Sequence, residues 1–263
     1  MKSIIKRNNV NIIGAGSKTM VFAHGFGCDQ NAWNYVINEF TDDYKLILFD
    51  YVGAGKSDLK AYDSSRYNKL DGYAEDILEL GEELNIKDSI FVGHSVSSMI
   101  GVLAALKSPT MFEKLIFVGP SPRYLNDEGY VGGFERQDLE GLFDMMDSNY
   151  LGWSRTLAPA IMGSPDKPEM GELLTNSFCA TDPDIAREFA RVTFLSDNRK
   201  DLPLLNIPSL TLQCSEDIIA PTQVGYYINE NTKDNSLVIM KATGHCPHMS
   251  APEETVAAIK AFI

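Results

Sequence analysis

A serine hydroxyl becomes a nucleophile only when a base takes its proton and a third group orients that base. In this sequence Ser95 lies in the run GHSVS, just after the apolar residues IFV and just before a stretch that includes Met99, Gly101, Ala104 and Ala105. An apolar strand, a tight turn and a helix of small residues would leave that hydroxyl exposed at the strand's end. The start of such a helix also presents free N–H groups and a positive dipole end to a developing oxyanion. The common form of this turn is GxSxG. Here Ser97 stands where the second glycine is expected, and a serine is nearly as small at a position that needs close helix–strand packing.

The chain has four histidines from which a base could come: His24, His94, His245 and His248. His94 adjoins the serine, but on a tight turn its side chain should point elsewhere. His245 and His248 share the loop ATGHCPHMSAP after the last strand-like run. His245 is the expected base, and His248 reads as a structural or pocket-wall residue. The orienting acid should fall between serine and histidine in chain order. Asp217 does so, just past SLTLQC in SEDIIAP, with Pro221 closing the turn and Glu216 expected to point the other way. Asp50, in FDYVGAGKSD, precedes the serine and is expected to pin the glycine-rich loop that follows it. An oxyanion would be met by two backbone amides, those of Val96 and of Phe26 in AHGFGCDQ. Each such donor is typically worth ~3 kcal/mol of barrier.

Rival chemistries find less support. The run GAGS near residue 14 lacks GxGxxG and its strand–helix setting, and Gly53 lies too close to Gly55-Lys56-Ser57 for a phosphate-binding loop. No His, Asp or Glu set has metal spacing. The chemistry is expected to need neither cofactor nor metal. Cys28, Cys179, Cys214 and Cys246 show no CxxC spacing and read as reduced thiols, with Cys28 and Cys246 in loops near the expected site.

These residues need a scaffold that brings loops together from distant parts of the chain. Strand-like runs at Met20–Ala23, Leu46–Phe49, Ile90–Val92, Leu115–Val118, Leu210–Gln213 and Leu237–Met240 alternate with helical stretches. That is the pattern of a mostly parallel sheet with helices on both faces. Tyr73, Ile77, Leu80 and Leu84 mark one such helix. Between about Pro120 and Pro208 the strands stop. Leu139, Leu142, Phe143, Met146 and Tyr150 fall at helical spacing, as do Ile185, Phe189 and Val192. Breaks at Gly132-Gly133, Gly163-Ser164-Pro165 and Thr181-Asp182-Pro183 divide this stretch into about four helices, with Asp182 an N-cap and Pro183 at the first helical position. The reading is a core of residues 1–120 and 208–263 and a helical cap of residues 121–207.

A chain of 263 residues suffices for one such domain with an insertion. Its net charge of -13 disfavours nucleic acid and anionic membrane surfaces as partners. The start, MKSIIKRNNVNIIG, has no apolar run of signal-peptide length, so a cytoplasmic location is expected.

The runs HGFGCDQNAW, LILFDYVGAGKSDL, FVGHSVSSMIG, VGPSPRYLND, GGFE, CATDPDIAREFAR, LQCSEDIIAP and GHCPHMSAPEET resemble the bacterial RsbQ family. These are α/β-hydrolases of stress-response sigma-factor signalling, similar in turn to the strigolactone and karrikin receptors of plants. The resemblance runs essentially end to end. It implies an α/β-hydrolase fold with a mostly parallel sheet and an inserted four-helix, V-shaped cap, and a triad of Ser95, Asp217 and His245. It also implies an apolar pocket between core and cap, for which Phe26, Tyr124, Phe134, Leu142, Trp153, Leu157, Phe194, Ile218 and Ile219 are candidate walls. Hydrolysis of a small hydrophobic ester or lactone is the leading expectation. A signalling protein whose cap engages a PAS-domain PP2C-type phosphatase of the RsbP kind is the second. A cofactor-free lyase or carbon–carbon bond hydrolase on the same fold is the third.

Overall fold

The computed structural model describes residues 3–263. Its sheet has seven strands: β1 (Asn11–Ile13), β2 (Lys18–Ala23), β3 (Tyr44–Leu48), β4 (Ser89–His94), β5 (Phe112–Val118), β6 (Ser209–Glu216) and β7 (Asn235–Thr243). They lie in the order β1-β3-β2-β4-β5-β6-β7. Every neighbouring pair is parallel except β1 with β3. Six strands fall where apolar runs predict them. The seventh, β1, is a three-residue exposed edge strand, too short and too open to leave an apolar signature.

Successive strand residues face opposite sides of a sheet, and here they divide between two cores. Val21, Ala23, Ile47, Phe91, Leu115 and Phe117 pack on one face. They meet the apolar sides of α2 (Leu70–Glu83) and α3 (Val96–Lys107), which follow the short α1 (Ile4–Arg7). Met20, Phe22, Leu46, Ile90, Val92 and Ile116 pack on the other face, against Trp33, Phe40, Val256 and Ile259. Burial on both faces is why these strands read as continuous apolar runs rather than as alternation.

Between β5 and β6 the chain forms α4 (Arg136–Ser148), α5 (Tyr150–Met162), α6 (Pro168–Ala180) and α7 (Pro183–Phe194). The Asp182 carboxylate accepts from the amides of Asp184 and Ile185, and Pro183 opens α7. One boundary differs from the expectation. Tyr150 does not extend α4: Asn149 ends that helix and caps the next through its side chain, which accepts from the Gly152 amide. The helices enclose a third apolar cluster over the carboxyl ends of the strands. The chain finishes with α8 (Thr222–Asn231), α9 (Pro247–Ser250) and α10 (Pro252–Phe262). Among the described residues no helix is long and apolar enough to cross a membrane.

Candidate active site

The turn between β4 and α3 holds Ser95 at φ 55°, ψ -124°, a conformation that costs a non-glycine residue of order 1–3 kcal/mol and persists only where its surroundings impose it. Here they do. The Ser95 amide donates to the Val118 carbonyl at 2.8 Å. Gly93, two residues earlier, has no room for a side chain, because a Cβ there would stand 2.7 Å from the Ser97 carbonyl oxygen. Ser97 is more than small. Its hydroxyl donates to the His24 carbonyl and shares a hydrogen bond with the Tyr51 hydroxyl at 3.0 Å, tying the turn to the ends of β2 and β3.

Three loops at the sheet's carboxyl edge meet at this serine. His245, after β7, places Nε2 at 2.7 Å from Ser95 Oγ. Its Nδ1 is 2.7 Å from Asp217 Oδ2. The other carboxylate oxygen accepts from the amides of Ile219 and Ala220 at 2.8 and 3.2 Å, which fixes the acid in its turn after β6. A carboxylate only accepts, so Nδ1–H donates to Asp217 and Nε2 is left to accept the serine proton. All three residues are buried. The structure therefore brings Ser95, His245 and Asp217 into one hydrogen-bonded line.

The other titratable residues have separate work. Asp50 accepts from the amides of Gln30 and Lys56 and the side chain of Asn9, pinning the loops around it. His24 is satisfied by the Gly25 carbonyl and the Tyr51 amide. His94 turns its Nε2 to the His245 carbonyl oxygen at 2.8 Å. His248 packs against Trp33 with ring centres 4.4 Å apart and planes tilted by 35°. Burial holds its imidazole well below the usual value, as do the neighbouring charges of His94 and His245. Phe26 and Val96 flank the serine, and among the described residues neither amide donates to another protein group. The Phe26 loop passes close over the turn: a Cβ on Gly25 would lie 3.2 Å from the Ser95 Cβ.

Ser95 opens into a cavity of about 20 Å³ lined by Phe26, Cys28, His94, Tyr124, Ile161, Leu174, Phe178, Thr193, Phe194, Ile219, His245 and Cys246. Of the expected walls, Phe26, Tyr124, Phe194 and Ile219 take that position, and the Tyr124 hydroxyl stands 3.4 Å from Ser95 Oγ. Phe134, Leu142, Trp153 and Leu157 do not. They belong to the same apolar cluster but form a layer behind the cavity. Ile218 is 56% exposed and is no wall at all, while its neighbour Ile219 is buried. The apolar pocket expected between core and cap is present but small, since this volume holds about one water. Phe26 fills the seam, meeting Trp153, Phe178, Phe189 and Phe194 edge-on with ring centres 5.5–6.3 Å apart. Leu174 and Phe178, one helical turn apart on α6, were missed by the sequence reading, although that spacing was a usable signal.

Comparison with known proteins gives the family. Residues 20–259 match the alpha/beta hydrolase family. The chain belongs to that family. It is 40% identical to the karrikin insensitive 2 receptor CA of Petunia hybrida over 97% of this chain and 95% of that one. It is 38% identical to strigolactone esterase D14 of Arabidopsis thaliana, over 96% and 94%. Among solved structures, a hydrolase from Oleispira antarctica superimposes with a TM-score of 0.97 at 42% identity, covering 99% of this chain and 96% of that one. This alpha/beta hydrolase thus has esterase-named and receptor-named relatives alike.

Proposed function

We propose that the protein is a serine esterase that hydrolyses a small apolar ester or lactone. The observation that carries this reading is the unbroken hydrogen-bonded line from Asp217 through His245 to Ser95, ending in an apolar cavity. Ser95 Oγ attacks the carbonyl carbon while His245 Nε2 takes its proton. The amides of Phe26 and Val96 receive the oxyanion. His245 then returns the proton to the leaving alcohol oxygen, and an acyl group remains on Ser95. Water, deprotonated by the same imidazole, releases the acid and restores the hydroxyl. Asp217 keeps Nδ1 protonated throughout and offsets the charge on the imidazolium. Few polar groups line the cavity, which favours an apolar acyl group. The direct test is turnover of p-nitrophenyl acetate by wild type and Ser95→Ala, with circular dichroism as the check on folding. Unchanged turnover in the variant would sink the assignment.

A second reading has one observation in its favour. A cavity of about 20 Å³ admits a ligand only if cap helices shift, so that occupancy and cap shape are linked. That link suits an RsbQ-like signalling role in which the cap engages a PAS-domain PP2C-type phosphatase. A pull-down of such a phosphatase with and without a lactone, using wild type and Ser95→Ala, separates the readings. Equal capture by both would mean that recognition does not need turnover.

A further inference from the structure

Two of the four cysteines meet at the wall of the serine cavity. Cys28 follows the loop that carries Phe26, and Cys246 directly follows His245. Both are buried, neither is in a disulfide, and both line the cavity into which Ser95 opens. The two thiols interact with each other on the wall of this one small cavity, which His94 also lines. The Nδ1 of His94 is buried without a hydrogen-bond partner. Ester hydrolysis, as derived above, uses none of these three groups. Among the described residues no three His, Cys, Asp or Glu side chains converge as metal ligands would.

The pair is asymmetric. The hydrogen bond from Cys246 holds the Cys28 thiol below its usual value; burial opposes this, and His94 adds to the lowering. Cys246 is pushed up by its bond to Cys28 and by burial. Cys28 is therefore the more readily deprotonated thiol of the two. Cys28 also borders an outer groove of about 320 Å³, beside Asp29, Tyr35 and Leu173. A small neutral oxidant can approach it there without passing Ser95. Cys214, on β6, is pushed up by burial and by the charge of Asp217, and has no such setting.

We propose that Cys28 and Cys246 are a peroxide-sensitive thiol pair whose oxidation to a disulfide reversibly closes the Ser95 site. The Cys28 sulfur attacks one oxygen of hydrogen peroxide and the O–O bond breaks. The departing hydroxide takes up the thiol's proton and leaves as water, so that Cys28 becomes a sulfenic acid. The Cys246 sulfur attacks that sulfur, and its proton leaves with the displaced hydroxyl as a second water. Two thiols are oxidised by two electrons to one disulfide, and the peroxide is reduced to two waters. The new bond ties the Phe26 loop to the His245 loop in a cavity with no slack. That consequence for turnover rests on the serine-esterase reading, whereas formation of the bond does not.

The test treats the full chain with hydrogen peroxide, alkylates the remaining thiols, and maps peptides by mass spectrometry while p-nitrophenyl acetate turnover is followed in parallel. A Cys28–Cys246 linked peptide should appear as turnover falls, and dithiothreitol should reverse both. Cys246→Ser should give no linked peptide and accumulate a Cys28 sulfenic acid that dimedone traps. Cys28→Ser, or Cys28→Ala if the first folds poorly, should give neither product. Each variant is compared with its own reduced form. Peroxide that leaves the pair unlinked, or a linked chain that turns over as the reduced one does, would overturn the proposal. A reduced chain without turnover counts against the serine reading alone, and the mapped linkage still decides this one.

Discussion

The core and the cap contribute to the cavity in different currencies. Ser95, Asp217 and His245 all stand at or just beyond the carboxyl ends of strands in one sheet. The cap supplies Tyr124, Ile161, Leu174, Phe178, Thr193 and Phe194, apolar apart from two hydroxyls. The core thus fixes proton geometry, while the cap sets space and access. The two are joined beside the base: the His245 amide donates to the Ile161 carbonyl at 2.8 Å, and the Thr243 hydroxyl donates to that of Gly163 at 2.9 Å. A shift of α5 therefore pulls on the loop of the base. Leu174 and Phe178 on α6 belong to the apolar cluster into which Phe26 packs, and Leu174 borders the cavity on one side and the outer groove on the other.

This division is broken most severely from the core side. Ser95→Ala should lower p-nitrophenyl acetate turnover by about 10⁴-fold or more with the fold retained. Asp217→Asn should cost about 10²–10⁴-fold, because an amide can donate to Nδ1 and stabilise the tautomer that cannot accept the serine proton. Steady-state rates for the two variants test the order. From the cap side, Leu174→Ala joins cavity and groove. Its kcat/KM for a bulky acyl ester relative to acetate should rise about tenfold, mostly through KM. Stability should fall by about 2–4 kcal/mol in a urea titration.

The smallest effect tests a residue outside both roles. Both nitrogens of His248 are buried without a hydrogen-bond partner, so His248→Phe should raise the thermal midpoint by removing a desolvated polar ring. The pH dependence has a definite sign. With its folded value below the unfolded 6.5, His248 binds fewer protons folded than unfolded once the pH drops beneath about 6.5. Stability is then lost as the pH falls further. The variant should lose less between pH 7 and pH 5 in thermal melts.

What was legible in the sequence follows the same division. Ser95, Asp217 and His245 each end an apolar run or sit in the loop after one, and a parallel sheet forces such ends to one edge. The cap's helices were legible from spacing, but not the break at Asn149, where a side-chain cap replaces glycine or proline. Spacing also tells which face of a helix is apolar, without telling the layer at a cavity from the layer behind it. Trp153 and Leu142 were misread for that reason. Ile218 was misread against a simpler rule, since neighbours on an extended turn face opposite ways and Asp217 and Ile219 already point inward. The edge strand β1 left no pattern because none of its residues is buried.

The central claim is that the core loops make Ser95 the one activated hydroxyl of this chain. Labelling with a fluorophosphonate, followed by peptide mapping, tests it most directly. The label should fall on Ser95, be lost in Ser95→Ala, and be slowed strongly in His245→Ala. A label on another residue, or labelling of Ser95 at the same rate without His245, would contradict it.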